Sequence, residues 1–237
     1  MQKLQEKYSA KMTLERLGKY LSATPRGRKR VIQELNRKSN LIETDFSEAK
    51  NAIARYIAYG DGNEEVIYAE IERLEKKLAM SELQKEQINL SIDSLESFLD
   101  VADEVVIKDY EFLREDPSIP TTLLIAGTTI DVSPEIILRK MDLETGSFVG
   151  AVKIYFSKNY PLSDNAGKYM ATLLYQYLEA HFADVGKADY SNCFVIDVFN
   201  QKVYRTPRYN KIYRADIHAA CEEIARAWAF IIRPNRV

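Results

Sequence analysis

"SPEIILRKMDLETGSFVGAVKIYF", residues 133–156, reads as two strands joined by a polar turn, "DLETG". Side chains alternate between the faces of a strand, so Val149, Ala151, Lys153 and Tyr155 share one face. Lys153 then sets an ammonium among apolar neighbours, which is costly without a partner. If the turn centres on Glu144, Glu135 and Lys153 are equally far from it, and Glu135 faces Lys153 across the hairpin. Two roles fit such a pair. It is either a cross-strand ion pair on a half-exposed sheet or part of a catalytic site.

Outward from the hairpin, "TTLLIAGTTIDV" (121–132) and "CFVIDVFNQKVYRT" (193–206) also read as strands. Between the hairpin and the latter lies "LSDNAGKYMATLLYQYLEAHF" (162–182), a helix with Ser163 or Asp164 as its cap. "RADIHAACEEIARAWAFII" (214–232) forms another, with Ile217, Cys221, Ile224, Trp228 and Ile231 at helical spacing. The order helix, strand, strand, strand, helix, strand, helix predicts an α+β or α/β layer: a mixed sheet covered by helices.

The segment before this core divides in two. Residues 1–60 read as helical and include the basic "PRGRKRVIQELNRK" (25–38). In "TDFSEAKNAIARYIAYG" (44–60), Thr44 or Ser47 serves as cap and Asp45 and Glu48 lie in the first turn. Ala49, Ala52, Ile53, Tyr56 and Ile57 make its apolar face, and Gly60 and Gly62 stop it. Residues 61–116 carry 17 acidic side chains against 6 basic ones, although the whole chain has a net charge of only −2. An acidic segment is therefore set into a basic protein, ahead of a core at 117–237.

Within the acidic segment Ile67, Ile71, Leu74 and Leu78 step at helical spacing, as do Ile88, Ile92, Leu95 and Leu99, and the two series are in phase. The register predicts one coiled-coil-like helix over 63–106, about 40 residues and ~60 Å long, with Ser81 and Lys85 as a polar layer. A hairpin folding near Met80–Ser81 is the alternative. A single long stripe of this kind calls for a homo-oligomer or a protein partner.

The Pro-Glu opening the second strand and the Val-Lys of the third resemble the PD-(D/E)XK nuclease superfamily, over roughly 45–60 and 120–205. The resemblance implies a restriction-endonuclease-like sheet flanked by helices, with the long helix as an insertion. In that family an acid opens the second strand, an acid-X-Lys sits on the third, and a further Glu often comes from the first helix. The carboxylates hold Mg²⁺ and the lysine positions or activates water. Carried over, Glu135 is the first acid and Lys153 the lysine. Asp131 is a rival first acid and Glu48 the helical one, so the implied metal ligands are Glu135, Asp131 and Glu48. The pattern departs at Ala151, which ligates nothing. Either the acid has migrated, to Asp131, Glu48 or Asp164, or metal binding is lost and the fold only grips its partner. The strand "CFVIDVFNQKVY" and the helix "ACEEIARAW" look like uncharacterised bacterial proteins.

Residues 200–214, "NQKVYRTPRYNKIYR", contain no acid. They interleave Tyr204, Tyr209 and Tyr213 with Lys202, Arg205, Arg208, Lys211 and Arg214, offering cations for phosphates and rings for stacking. Arg26, Arg28, Lys29 and Arg30 form a second basic cluster. DNA or RNA is the expected partner, with metal-dependent phosphodiester cleavage compromised by Ala151. The alternative is a non-catalytic interaction or oligomerisation protein built on the fold and its acidic arm. A third reading makes that arm a DNA mimic lying over the basic surface.

Other classes find little support. The first 25 residues are charged throughout and lack the apolar stretch of a signal peptide, and no apolar run is long enough to span a bilayer. Cys193 and Cys221, with His181 and His218, show no zinc-type spacing and read as buried free thiols of a cytoplasmic protein. No glycine-rich phosphate loop, serine elbow or tandem repeat is present.

Overall fold

The computed structural model describes residues 10–35, 45–59, 62–113, 116–142, 144 and 146–231. The cap candidate Thr44 and the helix stop Gly60 lie outside them. Strand β1 (Ala10–Thr13) leads into helices α1 (Leu14–Ser22), α2 (Pro25–Leu35), α3 (Ser47–Tyr59), α4 (Glu65–Glu75) and α5 (Glu82–Leu99). Strands β2 (Glu111–Leu113), β3 (Thr122–Ile125), β4 (Thr128–Asp131), β5 (Ile136–Asp142) and β6 (Gly146–Tyr155) follow. Helix α6 (Asp164–His181), strands β7 (Lys187–Asp197) and β8 (Lys202–Arg205), and helix α7 (Lys211–Ile231) complete the chain.

A mixed five-stranded sheet, ordered β2-β5-β6-β7-β8, lies at the centre. In the β5–β6 hairpin Ile136 faces Val152 and Asp142 faces Gly146, the register expected for a turn at Glu144. β6 and β7 run parallel and are joined by α6, since a parallel pair needs a long crossover. Of the two cap candidates, Ser163 caps α6, its Oγ accepting from Ala166 N. The two faces of the sheet serve separate cores. Val149, Ala151, Cys193 and Val195 belong to one with residues of α1, α6 and α7. Ile136, Leu138, Val152, Ile154 and Phe194 belong to another with residues of α3, α4 and α5.

Three expectations about strands are corrected. The amino-terminal region is not all helical, because β1 pairs in parallel with β4 in a second sheet, β1-β4-β3. "TTLLIAGTTIDV" is two strands, reversed at Ala126 and Gly127 with φ of 46° and 83°. Two successive left-handed residues give the tight turn whose twist suits a hairpin. "CFVIDVFNQKVYRT" likewise folds back after Asp197, so that β8 pairs antiparallel with β7.

The acidic segment is also corrected, from one continuous helix to the α4–α5 hairpin. Ser81 ends the helical phase with extended backbone, and its Oγ accepts from Gln84 N at 3.2 Å. Gln84 Oε1 in turn accepts from Met80 N at 2.7 Å. This reciprocal cap starts a new helix where the apolar register alone would have continued the old one. Ile67, Leu74, Ile88 and Leu95 are buried in the chain's own core, so the stripe that called for an oligomer is largely covered from within. Leu78 and Met80 stand exposed at the hairpin tip. Ser81→Ala separates the two architectures by sign. Alanine in an unbroken helix would gain roughly 0.5 kcal/mol, whereas loss of this cap should cost about 1 kcal/mol in chemical denaturation.

Among the described residues no helix is long and apolar enough to cross a membrane. Cys193 and Cys221 are free and buried. Burial raises both thiol pKa values, Cys221 to about 12.

Candidate functional site

The hairpin does bring Glu135 and Lys153 together. Glu135 N donates to Val152 O at 3.0 Å, extending the β5–β6 ladder by one residue and setting its carboxylate beside Lys153. Three oxygens surround the ammonium: Ser133 O at 2.8 Å, Glu135 Oε1 at 3.2 Å and Glu15 Oε1 at 3.4 Å. Ser133 has a φ of 34°, a left-handed conformation uncommon for a side-chain-bearing residue, and its carbonyl is the one that Lys153 holds. Lys50 Nζ from α3 also approaches Glu135 Oε1, at 3.0 Å. Ile154 N donates to Glu135 Oε2 at 2.9 Å, which engages both oxygens of that carboxylate.

Lys153 is only 8% exposed. Burial presses its pKa down, but the charges and hydrogen bonds of Glu135 and Glu15 outweigh that, and the net shift is upward. Lys153 is therefore a fixed cation near neutrality, suited to holding negative charge and unsuited to removing a proton. Around it opens a cleft of about 420 Å³. One wall is aromatic, with Phe46 stacked on Phe156 at 4.7 Å and 8°.

Glu15 was not among the sequence candidates. It lies in the first turn of α1, whose cap is Thr13, and β1 fixes that turn beside the site through the Thr13–Asp131 pairing. A threonine followed two residues later by an acid signals a helix start, but nothing local says that this start lies beside Lys153. Glu48 instead turns towards α4, meeting Arg73 at 2.6 Å and Lys77 at 3.0 Å. Its hydrogen bond with Arg73, with help from Lys77, holds its carboxyl below the usual range against the opposing effect of burial. Asp131 is exposed in the smaller sheet and accepts from Ser133 Oγ. Asp164 approaches Lys202 at 3.9 Å. Ala151 is fully buried in the apolar core. Among the described residues no group of three His, Cys, Asp or Glu is placed to hold a metal ion. His181 Nε2 instead lies 2.9 Å from Thr122 O.

The basic clusters divide between internal and exposed roles. The 200–214 stretch contains β8 and the start of α7. Arg205 donates to Ser191 O at 2.8 Å and Glu104 O at 2.5 Å and covers the Phe194 ring. Arg214 meets Glu179 at 2.7 Å, and Tyr204 OH donates to Leu162 O at 2.8 Å. Arg28 meets Glu223 at 3.5 Å, and Arg30 meets Glu34 at 2.9 Å. Arg26, Lys29, Arg208 and Lys211 are exposed, as is Tyr209.

Fold and site together define an α+β protein with a charged cleft at one end of a mixed sheet. No protein-family model, curated protein or solved structure matches the chain.

Proposed function

We propose that this protein binds nucleic acid on a restriction-endonuclease-like core, with the Glu15–Glu135–Lys153–Lys50 cleft facing a phosphate. One observation carries the reading. The β5–β6 hairpin joins an acid before one strand to a lysine on the next, and α6 then crosses to a parallel strand. Lys50 is the half-exposed cation at the cleft, and the exposed Arg26, Lys29, Arg208 and Lys211 supply further cations on the surface. Anisotropy of labelled DNA and RNA should show affinity falling steeply with salt, through counterion release. Lys50→Ala should weaken it further, across sequences. Absent or salt-insensitive binding would favour the non-catalytic interaction protein instead.

Metal-dependent cleavage is a second reading, favoured by Glu15 standing beside Lys153 when Ala151 offers no acid. Glu135 and Glu15 are of the donor type that suits Mg²⁺, with the Ser133 carbonyl as a third oxygen. Bound there, Mg²⁺ would supply Lewis-acid stabilisation of a phosphoryl oxygen. Glu135 already serves Lys50, Lys153 and Ile154 N, so the ion competes with two ammonium groups. Cleavage by pure protein that is lost on both Glu15→Gln and Glu135→Gln supports this reading. Binding without cleavage leaves the first.

A further inference from the structure

Beside the cleft stands an aromatic ring that core packing leaves exposed. Tyr160 is 69% exposed, yet the segment bearing it is anchored. Its carbonyl accepts from Tyr155 OH at 2.8 Å, and Tyr155 lines the cleft. Two residues on, Leu162 N donates to the buried Asp197 Oδ2 and Leu162 O accepts from Tyr204 OH, each at 2.8 Å. Pro161 restricts the backbone between these anchors. Lys19 Nζ lies over the Tyr160 ring, 5.4 Å from its centroid. Lys19 is one helical turn beyond Glu15 on α1, and Glu15 and Tyr155 line the cleft, so ammonium and ring each stand next to a lining residue without lining it themselves.

We infer that Tyr160 and Lys19 form a lip that receives an unpaired nucleotide, the ring stacking on its base and the ammonium facing its backbone phosphate. This rests on the nucleic-acid reading and narrows it to single-stranded substrates. Stacking needs a base with an open face, and duplex stacking covers those faces. A ring held on anchored backbone loses little freedom on binding, and ring–base contact tolerates any sequence. Lys50 in the cleft then meets the neighbouring phosphate.

The test measures anisotropy of a labelled single strand and of the matching blunt duplex, with melting curves confirming that each variant folds. Tyr160→Ala should weaken single-strand binding about tenfold, Tyr160→Phe should preserve it, and Lys19→Ala should both weaken it and flatten its salt dependence. Duplex affinity should not respond to Tyr160→Ala. In Tyr160→Trp, indole fluorescence should change on adding the single strand. Unchanged single-strand affinity in Tyr160→Ala, or equal losses on both substrates, overturns the lip while Lys50→Ala still weakens binding. Failure of the unaltered protein to bind any oligonucleotide overturns the nucleic-acid reading, and the lip with it.

Discussion

Gly167→Ala should destabilise the protein by about 3 kcal/mol, although alanine is normally the better helix residue by about 1 kcal/mol. Gly167 lies inside α6 with the Tyr204 ring directly over it. An added Cβ would come within 2.1 Å of Tyr204 Cγ. The ring has little room to yield, because Tyr204 is 5% exposed and its hydroxyl is bonded to Leu162 O. Moving it also releases one anchor of the segment carrying Tyr160. Gly18 on α1 is the comparison. Its added Cβ would meet Met170 Cγ at 2.8 Å and the Ala166 carbonyl at 3.3 Å, contacts less severe than that on the Tyr204 ring, and the methionine side chain can adjust in part. Urea denaturation should show a large loss for Gly167→Ala and a smaller one for Gly18→Ala. Equal effects would mean that the Tyr204 contact is not what demands glycine.

Lys153→Met should cost about 2 kcal/mol at neutral pH. The apolar part of the side chain is kept and only the ammonium goes, leaving the carboxylates of Glu135 and Glu15 without their shared cation. The loss falls short of that for a wholly buried pair. Lys50 and Ile154 N still hold Glu135, and Glu15 is partly exposed. The pH dependence follows from the sign of the shift. A pKa raised by folding gives stability that is fully present below the unfolded lysine value, about 10.4, and lost as pH rises through the folded value. The difference between the wild type and Lys153→Met should therefore hold through neutral pH and shrink in alkali above that range. A variant as stable as the wild type would show that the ammonium does not hold the two acids in place. Nucleic-acid affinity measured on the same folded variant reports separately on the proposed role at the cleft.

The sequence by itself determined what short-range patterns can specify. Alternation and turn position gave the β5–β6 register and the Glu135–Lys153 contact, because an antiparallel hairpin ties distant contacts to one local turn. The cap of α6, down to Ser163 or Asp164, and the apolar spacing of α7 were legible for the same reason. Two tight reversals passed unread, since Ala126–Gly127 and Gln201 sit inside runs of strand-forming residues. At Ser81 a local cap overrode an in-phase apolar register that pointed to one helix.

Only the tertiary structure decided which charges meet. Glu15 reaches Lys153 because β1, a four-residue strand, pairs with β4 more than a hundred residues away, and so short a segment carries little signal of its partner. Glu48 has the right composition and helical position for the site, yet it meets Arg73 and Lys77 because α4 packs across α3 on that side. The arginines at 205 and 214 look like free cations in the sequence but are bound to carbonyls and a carboxylate brought by other elements. A side chain's residue type is written locally. Its partner is set by long-range packing, and the charge available to a ligand is what those internal pairings leave over.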